Sequence, residues 1–183
     1  MAEIVGQTDN RIMSRAFLAA LLACVAACSP PFDWREMTLD PSGLHVTFPC
    51  KPDRAERKAS ITPGREIVLH AIGCETGGAS FVVVYGDSGS GAEVAGALSQ
   101  WRQASLAAAR ATLQGEQAFV PAGALGLPAS AMVRASGQRT DGSAVQSQSA
   151  YFARGATVFQ VAVYATTLKP EMTEPFFTGL RFE

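Results

Sequence analysis

Two histidines and two cysteines stand near one another in the first half of the chain, His45 with Cys50 and His70 with Cys74. Imidazole and thiolate are ligands for zinc or copper, so the set has to be read first as a metal site. The spacing speaks against it. His70 and Cys74 fall in a run with strand character, where a four-residue separation puts them on one face but about 13 Å apart, too far to share one ion. His45 and Cys50 carry no ligand spacing at all. The histidines are expected as ordinary strand residues, and neither a metal nor a cofactor is assigned. Asp87, Glu93, Glu116 and Asp141 stand singly among polar neighbours, which leaves no carboxylate pair for acid–base chemistry.

Gly86-Asp87-Ser88-Gly89 resembles the nucleophile segment of trypsin-like serine proteases. Such a serine needs a histidine base held by a carboxylate. Neither His45 nor His70 stands in an Ala-His-Cys context, and the chain is too short for a double barrel. The nucleophile-elbow pattern also fails, because Ser90 occupies the position that requires glycine. No catalytic residue is assigned. The stretch Ser88-Gly89-Ser90-Gly91 reads instead as a flexible strand-to-helix turn with Ser90 as cap. Since amides at a helix N-terminus can meet an anion, these four residues are kept as a candidate anion-binding turn. They contain neither a dinucleotide fingerprint nor a P-loop lysine.

The elements that would position such groups begin with an address. Arg11 and Arg15 precede an unbroken apolar run, Ala16 to Ala27, that closes on small residues, as in a secretory signal peptide. As a helix it would span roughly 18 Å against a hydrocarbon core of ~30 Å, too short for a permanent span. Val25-Ala26-Ala27-Cys28 resembles the lipobox of bacterial lipoproteins, which implies that Cys28 is acylated and becomes the mature N-terminus. Cys24 is the alternative, and it would leave Val25 to Ala27 unused. The expected organisation is a signal peptide over 1–27, a lipidated tether over 28–33 and one globular domain over 34–183. Met13 is an alternative start to Met1, because Met1 to Ile12 is polar and acidic. In what the lipoprotein resemblance implies, Ser29 beside the cysteine favours the outer membrane over the inner one as the alternative, with the domain facing the periplasm.

An exported compartment is oxidising, so the two cysteines of the mature chain, Cys50 and Cys74, are expected to form a disulfide. The chain has 15 Lys and Arg against 16 Asp and Glu, so no strong field attracts nucleic acid or anionic lipid. The basic residues also lack the aromatic interleaving that single strands need.

Strand chemistry starts at Trp34. Asp40-Pro41-Ser42-Gly43 predicts a type I turn between Trp34–Leu39 and Leu44–Phe48. Lys51 to Lys58 is charged in both signs and suits a solvated edge strand. Arg65 to Cys74 follows as an apolar strand, and Phe81 to Tyr85 as a central strand covered on both faces. Ser90 to Glu93 has capping-box spacing and opens a long helix over about Gly91–Gln114. Val94, Ala97, Leu98, Trp101, Ala104, Ser105 and Ala108 share its apolar stripe, and Arg102 and Arg110 face water. Strands resume at Glu116–Val120, Ala129–Ser136, Ala144–Ala153 and Thr157–Thr166, joined by Asp-Gly and Arg-Gly turns. Thr173 caps a short C-terminal helix with Phe176, Phe177 and Leu180 on its apolar face. The fold class expected is α+β: an antiparallel sheet of about seven to nine strands packed by one long and one short helix.

The opening Gly43-Leu44-His45-Val46-Thr47-Phe48-Pro49, one long helix between two groups of antiparallel strands, and the ending Pro175-Phe176-Phe177-Thr178-Gly179-Leu180-Arg181-Phe182 resemble the PsbP-like superfamily, which includes the DcrB-like envelope lipoproteins. The resemblance spans Trp34 to Glu183. It implies an antiparallel sheet with helices on its faces and a non-catalytic role as an accessory to larger assemblies, with an envelope protein as partner beside the membrane itself. It carries over no catalytic residue, and the Cys50/Cys74 pair departs from it. The second functional reading is a small-ligand carrier or sensor, its pocket between Trp101 of the helix and Tyr85, Tyr151 and Tyr164 of the sheet.

Overall fold

A period-two burial pattern runs through most of the strands and divides the core in two. The computed structural model describes residues 31–62 and 65–183. The apolar run, Cys24, Cys28 and the Pro63-Gly64 turn lie outside the described residues. Strands β1 (Arg35–Leu39) and β2 (Leu44–Phe48) form an antiparallel hairpin, with Leu39 opposite Leu44. The turn between them is closed by Gly43 N–H donating to Leu39 O at 3.0 Å, one residue further back than a type I turn on Asp40 would close. A two-residue strand from the C-terminus, β10 (Arg181–Phe182), pairs with β2 and completes a three-stranded sheet.

The other seven strands form one antiparallel sheet. They are β3 (Asp53–Thr62), β4 (Arg65–Thr76), β5 (Ala79–Asp87), β6 (Thr112–Ala118), β7 (Ala131–Gln138), β8 (Ala144–Arg154) and β9 (Thr157–Ala165), in the order β3-β4-β5-β9-β8-β7-β6. The fold is α+β, with ten strands among the described residues divided over two sheets where one sheet was expected. Two meanders, β3 to β5 and β6 to β9, meet side by side at β5 and β9. The helix α1 (Val94–Ala108) carries the chain from β5 across one face to the far edge at β6. The second helix, α2 (Pro170–Thr178), packs on the opposite face beside β2 and β9.

Turn chemistry fixes these registers. At the β7–β8 hairpin Asp141 Oδ1 accepts from Ser143 N–H at 2.9 Å and from its hydroxyl at 2.7 Å, and Gly142 takes φ 84°. Those hydrogen bonds hold the Asp141 carboxyl below the usual range. Between β8 and β9 only Gly155 and Ala156 lie inside the Arg154–Thr157 pair, with Gly155 at φ 58°.

One core cluster lies between the two sheets, where Phe81, Val83, Ala150, Phe152, Phe159 and Val161 meet Leu44, Val46, Phe48, Phe176 and Phe182. The other lies under α1, where Ile67, Leu69, Val133, Tyr151, Ala153 and Val158 meet Val94, Ala97, Leu98 and Trp101. Strand β5 is not covered on both faces as its composition suggested: Phe81, Val83 and Tyr85 are buried, while Val82 and Val84 are half-buried. The strands sealed on both sides are β8 and β9, because only the middle of the sheet lies beneath both layers. Lys51–Lys58 meets its expectation, since β3 is an edge strand.

Both helices differ from expectation at their ends. Helix α1 starts at Val94 without a side-chain cap, and Ser90 contributes only its carbonyl, which accepts from Glu93 N–H at 3.1 Å. It stops at Ala108, six residues before Gln114, because Arg110 takes φ 45°. There Ala111 N–H donates to Leu106 O at 2.8 Å and Arg110 N–H to Ala107 O at 3.0 Å, the paired bonds of a Schellman ending. Ala104 and Ala108 are exposed, so the buried stripe is shorter than the sequence suggested. Since an L side chain is strained in the left-handed region, Arg110→Gly is expected to raise stability by about 0.5–1 kcal/mol in urea unfolding. An unchanged midpoint would count against that ending. Helix α2 begins at Pro170, so Thr173 is buried inside it and is not its cap. Proline preset at the first helical position starts the helix instead.

Candidate functional site: a cleft beside an open sheet edge

The three-stranded sheet and α2 cover the middle of the long sheet and stop short of its β6 end. Cross-strand neighbours there share a face: Gln117 with Met132, Arg134 with Gln148, Ser136 with Gln146. Along β7 that face runs Met132, Arg134, Ser136, and along β8 Ala150, Gln148, Gln146. Both strands therefore change from apolar to polar as they leave the cover. The opposite wall is α2 and the residues before it, Leu168, Lys169, Pro170, Thr173, Glu174 and Phe177, with Phe119 at the base. Between the walls lies a cleft of about 570 Å³.

Its polar groups are ordered by the frame. Arg134 Nε donates to Gln148 Oε1 at 2.9 Å, and Gln148 Nε2 lies 3.1 Å from Met132 Sδ, so a glutamine only 5% exposed orients the guanidinium. Gln146 Oε1 accepts from Leu168 N–H at 2.8 Å and ties the start of α2 to β8. Lys169 pairs with Glu171 at 3.8 Å. Arg134 forms no ion pair among the described residues, which leaves its terminal donors for a carboxylate or a carbonyl from outside. Apolar surface with a few directed polar groups suits recognition.

The residues singled out from the sequence are placed elsewhere. Ser88 is buried and its hydroxyl donates to Ala156 O at 2.7 Å. Gly89 N–H donates to Asp87 Oδ1 at 2.7 Å, while Arg65 Nη1 donates to Ser88 O at 2.9 Å and meets Glu93 Oε2 at 3.2 Å. The turn Ser88-Gly89-Ser90-Gly91 thus spends groups an anion would need on internal partners. The four aromatics of the supposed pocket are not brought together. Tyr85 lies between the two sheets, stacked on Phe159 at 5.7 Å, whereas Trp101 and Tyr151 meet edge-to-face at 6.5 Å beneath α1. Tyr164 joins Tyr151 through Gln160, whose Nε2 donates to the Tyr151 hydroxyl at 3.0 Å and the Tyr164 hydroxyl at 3.4 Å.

Burial pushes the Tyr164 hydroxyl up to about 12, helped by the neighbouring Tyr151, and burial raises Tyr151 as well. An acid whose folded pKa lies above its unfolded value adds stability that is complete below about pH 10 and lost as pH rises through the folded value. The domain is expected to hold its stability to about pH 10 and lose it toward about pH 12. Tyr164→Phe should flatten that decline in tryptophan-monitored unfolding, and an identical alkaline profile would sink the assignment.

Both histidines are strand residues with carboxylate neighbours. His45 Nε2 lies 3.2 Å from Glu183 Oε1, and His70 Nδ1 lies 2.9 Å from Glu56 Oε1. Glu36, held by Arg181, is kept below the usual carboxylate range by that hydrogen bond. Cys50 and Cys74 are bonded, with Cα atoms 6.0 Å apart. Among the described residues no group of three or more His, Cys, Asp or Glu side chains is placed to hold a metal ion. No helix among them is long and apolar enough to cross a membrane.

No family model matches the chain, and no curated protein does. A crystal structure of a Pseudomonas aeruginosa protein of unknown function is similar at 16% identity with a TM-score of 0.40, over 78% of this chain and 89% of that one. A likeness of that size carries no functional argument.

Arg134, Gln148, Gln117 and Lys169 were missed in the sequence. The signal was there in outline: Met132-x-Arg134-x-Ser136 and Gln146-x-Gln148-x-Ala150 put polar side chains on positions that the period-two pattern assigns to the core. What the pattern lacks is where the cover ends.

Proposed function

We propose that this chain is a non-catalytic envelope lipoprotein, anchored through acylated Cys28 with Cys24 as the alternative, whose domain binds a protein partner in the periplasm. The observation that carries the binding half is the cleft between β6–β8 and α2, where Arg134 is oriented by Gln148 and left without a carboxylate partner among the described residues. The lipobox resemblance of Val25-Ala26-Ala27-Cys28 supports the anchor and Ser29 the outer membrane. Each buried methylene of an acyl chain adds about 0.8 kcal/mol of membrane affinity. Cys28→Ser is expected to release the chain from the membrane fraction. Retention of an unmodified variant there would refute the anchor.

In-cell crosslinking of the tagged full chain tests the partner. A reproducible protein adduct that disappears with Arg134→Gln supports the proposal. A volume of about 570 Å³ also lies within the range of small-molecule sites, so the carrier reading moves from the aromatics to the same cleft. A co-purifying small molecule in native mass measurement, with no protein adduct, would favour it.

A further inference from the structure

The two ends of the long sheet are finished differently. Edge strand β3 carries Asp53, Arg54, Glu56, Arg57 and Lys58, the charges with which a sheet edge resists another strand. Edge strand β6 reads Thr-Leu-Gln-Gly-Glu-Gln-Ala, is exposed at every residue and bears one charge, Glu116, which Arg102 of α1 holds against the opposite face. Two of the four exposed large apolar side chains among the described residues, Leu113 and Val120, flank its regular part.

The backbone of that edge is available. Phe119 N–H donates to Ser130 O, so alternation along an antiparallel ladder turns Gln117 and Gly115 toward β7 and leaves the amides and carbonyls of Glu116 and Ala118 pointing away from the sheet. A register shift between Leu113 and Gly115 ends the regular edge, which makes Gly115–Ala118 the window for a further strand. Gly115 sits opposite Arg134, and nothing lies within 4 Å of where its Cβ would be. The missing side chain opens a gap between the Arg134 guanidinium and whatever strand lies outside β6.

We propose that β6 is a docking strand: an extended, acidic segment of the partner protein adds antiparallel or parallel to Gly115–Ala118 and places a Glu or Asp carboxylate over Gly115 on Arg134. The proposal rests on the protein-binding reading and names the chemistry of its partner. Charge complementarity selects this occupant over a second copy of the chain. The cleft-facing residues of β6 are Gly115 and Gln117, so a second β6 in the antiparallel pairing of a two-fold dimer keeps its Glu116 on the opposite face and brings no carboxylate to Arg134. An acidic segment supplies the fork-matching anion, and main-chain bonds to Glu116 and Ala118 supply the rest.

The test is selection from a displayed library of random linear peptides on the full chain in detergent micelles. Recovered peptides are expected to alternate β-branched residues with a Glu or Asp. Arg134→Gln should weaken an acidic peptide about tenfold, the size of one charge-assisted hydrogen bond, and leave its Glu-to-Gln counterpart unchanged. Ala118→Pro removes only an outward N–H, which an edge strand tolerates, and should weaken both peptides. Slowed hydrogen exchange at the Ala118 amide on binding should accompany this. Selection without acidic enrichment, no enrichment at all, or acidic binding indifferent to Ala118→Pro each overturns strand docking. A crosslinked partner that persists alongside any of these keeps the protein-binding reading and removes only this mode.

Discussion

Phe159→Ala is expected to lower the unfolding free energy by about 3–5 kcal/mol, a large share of the ~5–15 kcal/mol that a domain has. Phe159 is fully buried in β9, one of the two strands covered on both sides. Its ring stacks on Phe152 at 5.3 Å and meets Phe182 at 5.2 Å and Tyr85 at 5.7 Å. The surroundings cannot collapse into the space, because Phe152 and Tyr85 are held by their own strands and Phe182 by β10, whose Phe182 N–H donates to Ala122 O at 2.8 Å. A midpoint shift in urea at unchanged slope measures the loss. A cost below about 1 kcal/mol would mean that the core between the sheets repacks freely.

Replacing both Cys50 and Cys74 with serine is expected to cost about 3–4 kcal/mol, the chain entropy released when a loop of about 25 residues is no longer closed. The bond does more than close a loop. Cys50 follows β2 of the small sheet and Cys74 lies in β4 of the large one, so the disulfide clamps the connection between the two layers that enclose the Phe159 cluster. Reductant should lower the melting temperature of the native chain, and leave the double variant unaffected. Two freely alkylated thiols in the unreduced protein would dispose of the expectation.

The edges of the cleft show why the site was harder to read than the fold. Hairpin turns such as Asp141-Gly142 act between residues adjacent in sequence, so their chemistry is legible locally. Helix α1, expected over about Gly91–Gln114, differs only at its ends: it starts at Val94 without the Ser90 cap, and it stops at Ala108, where the chain offers an arginine in place of the usual glycine. Thr112, Leu113 and Gln114 contain no breaker, and the pairing of Thr112 and Leu113 with β7, resumed at Gly115, overrides their helical tolerance. The misplaced start of α2 has the same character: Thr173 looks like a cap, yet Pro170 had already begun the helix and the threonine is buried.

By itself the sequence determined the α+β class, the antiparallel hairpins, the charged edge strand β3 and the pairing of Cys50 with Cys74. Alternation, turn residues and cysteine count are local properties that do not depend on which layer lands where. Tertiary structure alone decided that ten strands split into two sheets, that Tyr85 faces away from Trp101, and that Arg134 emerges beside an uncovered edge. Those outcomes depend on where a second layer ends above the first, a distance between segments as remote as Arg134 and Lys169 that no periodicity along the chain encodes.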